Sequence, residues 1–98
     1  MTYSLVRKRD GAGDSGPMSD IGRLNPETKE VEWERNARPR VGWVVTVGSR
    51  MGRSYQVHDY WTTTYVTEID SDTPKEVHFK TSNSEYVWKQ TNHSFFLQ

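Results

Sequence analysis

Apolar and polar residues alternate with a period of two through most of the second half of the chain, which is the signature of half-buried β-strands. Trp43, Val45 and Val47 fall on one face of a stretch from 40 to 47, and the β-formers Val44 and Thr46 fall on the other. Thr62 to Ile69 is dense in Thr, Tyr, Val and Ile; Val77 and Phe79 alternate with His78 and Lys80; Tyr86 and Trp88 do the same within 85–90. The polar connectors Asp70 to Pro74 and Ser82 to Ser84 have the residues of β-turns, so 62–90 is expected to be an antiparallel meander. No stretch carries a helical period. Short strands at about ten-residue spacing predict an all-β fold, a small antiparallel barrel or sandwich of the SH3-like or OB-like kind.

The first forty residues are different in character. They hold eleven of the apolar residues, against twenty-one in 41–98. Gly11, Gly13, Gly16 and Pro17 interrupt the stretch from Asp10 to Ser19, which reads as a loop or arm. Beyond it, Asp20 to Leu24, a turn over Asn25 to Thr28, and Lys29 to Trp33 form an expected β-hairpin whose weakly apolar face carries Val31 and Trp33. The pattern therefore divides the chain into an N-terminal arm and hairpin, 1–40, and a small β domain, 41–98. Residues 1–18 are expected to be dispensable for folding.

Composition narrows the function classes. A chain of 98 residues has room for one core. Its mean hydropathy of −0.90 is low, but 12% aromatic residues argue for a folded protein. Thirteen basic and thirteen acidic residues cancel, so no global field draws the chain to nucleic acid or to an anionic membrane. There is no cysteine, hence no disulfide framework or thiolate metal site. The amino end has no hydrophobic signal core, and no apolar run has the length of a membrane span, so synthesis in the cytosol without membrane insertion is expected.

Residues with catalytic or ligating chemistry are scattered. His58, His78 and His93 stand far apart and form no ligand cluster, so neither metal nor cofactor is expected. There is no nucleophile elbow, and Gly11-Ala12-Gly13 precedes neither a phosphate-loop lysine nor a helix. A non-enzymatic protein is the expectation. Charge is more informative: Arg35, Arg38, Arg40, Arg50 and Arg53 occur before His58 with no acid among them, whereas Asp59, Glu68, Asp70, Asp72 and Glu76 follow with Lys75 alone.

Between Gly48 and Trp61 the alternation is lost in a long connection. Arg50, Arg53, Tyr55, His58, Tyr60 and Trp61 lie there, residue types that dominate protein-binding hot spots and also stack bases and track phosphates. This loop is the expected binding surface. Trp43, Trp61 and Trp88 have two readings, as core filling or as part of that surface.

Val47-Gly48-Ser49, Arg53-Ser54-Tyr55, Asp59-Tyr60-Trp61, Thr63-Thr64 and Val66-Thr67-Glu68-Ile69, followed by a strand and Asn83 to Trp88, resemble a run in small proteins of tailed phages and prophages, notably of actinobacteria. The resemblance covers about residues 41–90, with Tyr65 where those sequences often carry proline. It implies a phage origin and no mechanism. The expectation is a protein that binds a host or defence factor in the host cytoplasm, with a virion accessory protein whose arm reaches a neighbouring subunit as the alternative. The expected partner is therefore a protein, either a host factor or a virion subunit, with self-association a further possibility. Nucleic acid ranks behind because the net charge is zero.

Overall fold

In the computed structural model, residues 2–48 and 60–91 are described, and they contain nine strands and no helix. The strands are β1 (Thr2–Arg7), β2 (Gly13–Gly16), β3 (Met18–Leu24), β4 (Val31–Glu34), β5 (Val44–Gly48), β6 (Tyr60–Thr62), β7 (Val66–Thr73), β8 (Glu76–Thr81) and β9 (Glu85–Thr91). They form a five-stranded sheet in the order β2-β1-β9-β8-β7 and a four-stranded sheet in the order β4-β3-β5-β6, antiparallel throughout. The all-β class expected from the alternation is what forms.

Alternate residues of each strand enter the space between the sheets. Tyr3 and Leu5 come from β1, Ile21 from β3, Val45 and Val47 from β5, Val77 and Phe79 from β8, and Tyr86 and Trp88 from β9. Trp43 and Val66 close the ends of this core. Phe79 and Tyr86, opposite one another across β8 and β9, stack with centroids 5.3 Å apart. Trp88 is fully buried, lies 5.8 Å from Tyr3, and donates its indole N–H to Ser19 Oγ at 2.8 Å. Ser19 Oγ in turn donates to Ala37 O at 2.9 Å, so one polar chain ties the larger sheet to the smaller and to the segment after β4.

The chain passes between the sheets at two corners. Pro17 alone separates β2 in one sheet from β3 in the other. At the second corner, the stretch expected as one strand over 62–69 is broken at Thr63–Tyr65. There Thr63 N donates to Val45 O and Val66 N to Trp43 O, both at 2.9 Å, before the chain goes on to pair with β8 as β7. Thr63 Oγ1 accepts the amide of Val45 at 3.1 Å, supplying the partner that a regular ladder would otherwise give. A strand that switches sheets makes a corner of this kind.

Three expectations are corrected. The stretch from Asp10 to Ser19 is not a loop, since Gly13–Gly16 pairs with β1 and Met18 and Ser19 open β3. Glycine is required at position 13 because a Cβ there would lie 1.8 Å from the carbonyl oxygen of Leu5. The boundary at residue 40 runs through both sheets: β1 is flanked by β2 and β9, and Leu5 and Ile21 are fully buried. The segment from Asp70 to Pro74 is mostly strand, because β7 continues through Thr73 with two register shifts and the turn is confined to Pro74 and Lys75.

The β1–β2 turn carries a tight ion pair. Arg7 Nε and Nη2 donate to the two oxygens of Asp10 at 3.0 and 2.7 Å, and Ala12 N donates to Asp10 Oδ1 at 3.1 Å. The hydrogen bond from Arg7, reinforced by the Ala12 amide, lowers the Asp10 pKa from an ordinary 3.8 to about 2. Because the folded-state value is the lower one, the stabilisation is present above pH 3.8 and is lost as pH falls toward about 2. Acid titrations of the melting temperature should show a smaller fall across that window for Asp10→Asn than for the native chain. Parallel curves would show that the pair does not contribute.

Candidate functional site

Of the six candidate residues in the long connection singled out in the sequence, two are described, Tyr60 and Trp61. Arg50, Arg53, Tyr55 and His58 lie outside the described residues. Tyr60 and Trp61 are successive residues of β6 and so point to opposite faces of their sheet. Tyr60 sits opposite Gly48 on the outer face and is 47% exposed. Trp61 sits opposite Val47 and packs against the core.

Arginine and tryptophan do meet, but within the molecule. Arg7 lies over Trp61 at 5.0 Å, Arg38 over Trp88 at 5.2 Å, and both Arg23 and Arg40 over Trp43, at 4.8 and 5.1 Å. Each guanidinium is also held by an acid: Arg7 by Asp10, Arg23 by Glu32, Arg38 by Asp72 and Arg40 by Glu34. Hydrogen bonds from Arg23 and Asn25 keep the Glu32 carboxyl below the usual carboxylate range, and Arg40 does the same for Glu34. The arginines read as a basic tract in the sequence therefore include two, Arg38 and Arg40, that roof the core. Nearby aromatic faces and carboxylates already satisfy them.

The outer faces of the two sheets differ sharply. On the five-stranded sheet, Lys8 just beyond β1, Glu85 of β9, Lys80 of β8 and Asp70 of β7 follow one another as alternating charges, and Lys89 stands opposite Glu76, which also holds His78. Such a face is well hydrated. On the four-stranded sheet, the register places Val31 opposite Leu24, and Trp33 opposite Gly22, whose other neighbour is Val44. These side chains share the outer face. Leu24, Val31 and Trp33 are 49%, 53% and 51% exposed, and Val44 is half-buried.

Glycine at position 22 shapes this patch. A Cβ there would come within 2.8 Å of the Trp33 ring, so its absence lets the indole lie against the backbone of β3. Trp33 is thereby held as a flat apolar plate at the edge of the sheet. The Asn25–Glu30 loop that aligns Leu24 with Val31 is closed locally: Asn25 Oδ1 accepts the amides of Glu27 and Thr28, Asn25 N donates to Glu30 O, and Lys29 takes a positive φ of 65°.

The alternation of Val31 and Trp33 with acids marked one apolar face in the sequence. It did not show that Leu24 and Val44 would join that face, because this depends on the register of β3 with β4 for Leu24 and with β5 for Val44. Among the described residues no group of His, Asp and Glu side chains has the arrangement of a metal site. No family model matches the chain, and no curated protein and no solved structure matches it either.

Proposed function

We propose that this chain is a non-catalytic protein of the tailed-phage type that binds a protein partner, a host or defence factor, through the outer face of its four-stranded sheet. The observation that carries the reading is the contiguous apolar surface of Leu24, Val31, Trp33 and Val44, whereas the other sheet's outer face carries cross-strand charges around the pair Val6 and Val87. A half-exposed tryptophan bedded on glycine gives large contact area with little conformational entropy left to lose. The virion alternative had rested on a free arm reaching a neighbouring subunit. Residues 2–7 and 13–16 are instead paired strands of the larger sheet, which removes that support. Nucleic-acid binding is disfavoured by the engagement of Arg38 and Arg40 over the core tryptophans.

Affinity capture from host cells with the native chain and Trp33→Ala in parallel, followed by titration of the captured protein, tests the reading. Trp33→Ala should weaken binding by about 1–3 kcal/mol, roughly five- to a hundred-fold, with a nearly unchanged melting temperature. Equal affinity of the two chains would refute the assignment of this face. Recovery of the protein in purified phage particles by mass spectrometry would favour the virion role instead.

A further inference from the structure

Two turns meet at one end of the five-stranded sheet. Residues 8–12 connect β1 to β2, residues 82–84 connect β8 to β9, and Lys8 N donates to Glu85 O at 2.8 Å, which fixes one turn against the other. Between them lies an open cleft of about 450 Å³, lined by Lys8, Arg9, Lys80, Asn83, Ser84 and Glu85 among others. Three cations and one carboxylate line it, on a protein whose net charge is zero.

The cations are only loosely engaged. Lys8 Nζ is 4.0 Å from Glu85 and Lys80 Nζ is 3.7 Å from Asp70, long contacts between side chains that are 29–52% exposed. Exposed pairs at this separation contribute little, so an anion can take over either ammonium at small cost. Arg9 forms no ion pair among the described residues, because Asp10 beside it is held by Arg7.

We infer that this cleft binds a phosphate dianion, either inorganic phosphate or the phosphate of a phosphomonoester. Arg9 supplies a planar fork of donors, Lys8 and Lys80 supply point charges, and the Ser84 hydroxyl and Asn83 amide supply neutral donors at the turn. The turn that presents them is rigid: Thr81 Oγ1 accepts the amides of Asn83 and Ser84 at 3.4 and 3.2 Å. This site is independent of the apolar face on the other sheet.

The test is a titration of the full chain with inorganic phosphate and, separately, with O-phosphoserine at constant ionic strength, followed by amide chemical shifts. Saturable shifts confined to the two turns are expected, with a dissociation constant on the order of 1 mM, strengthening as pH rises through about 6 for phosphoserine. Arg9→Gln and Lys80→Gln should each weaken binding several-fold, whereas Lys89→Gln, with the same change in net charge, should not. Tighter binding of phosphoserine than of phosphate would identify a phosphomonoester as the ligand, and the reverse would identify the free ion. Non-saturating shifts, or equal losses for all three variants, would overturn the proposal. So would a single-stranded oligonucleotide that binds more tightly and shifts residues across the whole sheet.

Discussion

Trp88→Ala should lower the unfolding free energy by about 3–5 kcal/mol. The indole is fully buried, packs beside Tyr3, lies beneath the guanidinium of Arg38, and donates to Ser19 Oγ across the sheet interface. Its removal opens a cavity between the sheets and cuts the polar chain that ends at Ala37. A domain of this size has roughly 5–15 kcal/mol of total stability, so the variant should melt on the order of 15–30 °C lower or fail to fold. Trp88→Phe keeps most of the volume and loses only the donor. Since Ser19 Oγ retains its bond to Ala37 O, this variant should lose only about 1–2 kcal/mol. Denaturant melts of both variants provide the check, and a loss below about 1 kcal/mol for Trp88→Ala would mean that the sheets do not depend on this ring for their packing.

Deleting residues 1–7 should abolish cooperative folding altogether. β1 lies between β2 and β9, pairing Tyr3 with Gly16 on one side and Leu5 with Trp88 on the other. Its loss would strip Tyr3 and Leu5 from the core, leave the inner edge of β9 unpaired, and deprive β2 of the strand it pairs with among the described residues. The measurement is amide dispersion of the truncated chain. A native-like spectrum would place β1 outside the cooperative unit. Leu5→Ala gives a graded version, with an expected loss of about 2–5 kcal/mol.

The sequence was most informative where local pattern and pairing agree. The edges of β8 and β9, the inward face of Trp43, Val45 and Val47, and the 20–33 hairpin were all legible, because each alternation lies beside its own turn signal. β2 was not. Gly13, Asp14, Ser15 and Gly16 have low strand propensity, and they are extended because they pair with β1, where the carbonyl of Leu5 leaves no room for a Cβ at position 13. β1 offered only the brief alternation of Tyr3 and Leu5 around Ser4, and its place inside the sheet depends on partners more than eighty positions away. The candidate face was half legible for a similar reason. Val31 and Trp33 showed their alternation, but Gly22 and Val44 join them only through cross-strand register.

The pairing of Thr2 with Thr91 has a consequence for how the protein is made. β1 leaves the ribosome well before β9, so Leu5 waits for the synthesis of about eighty further residues before Trp88 exists to cover it. The smaller sheet, built from 18–48 and 60–62, is complete well before that. Through this interval a nascent strand with Tyr3 and Leu5 on one face has β2 along one edge but no partner along the other, and the long-range pairing with β9 closes late. Slowing elongation within β8 and β9 should therefore increase the fraction captured by chaperones or lost to aggregation.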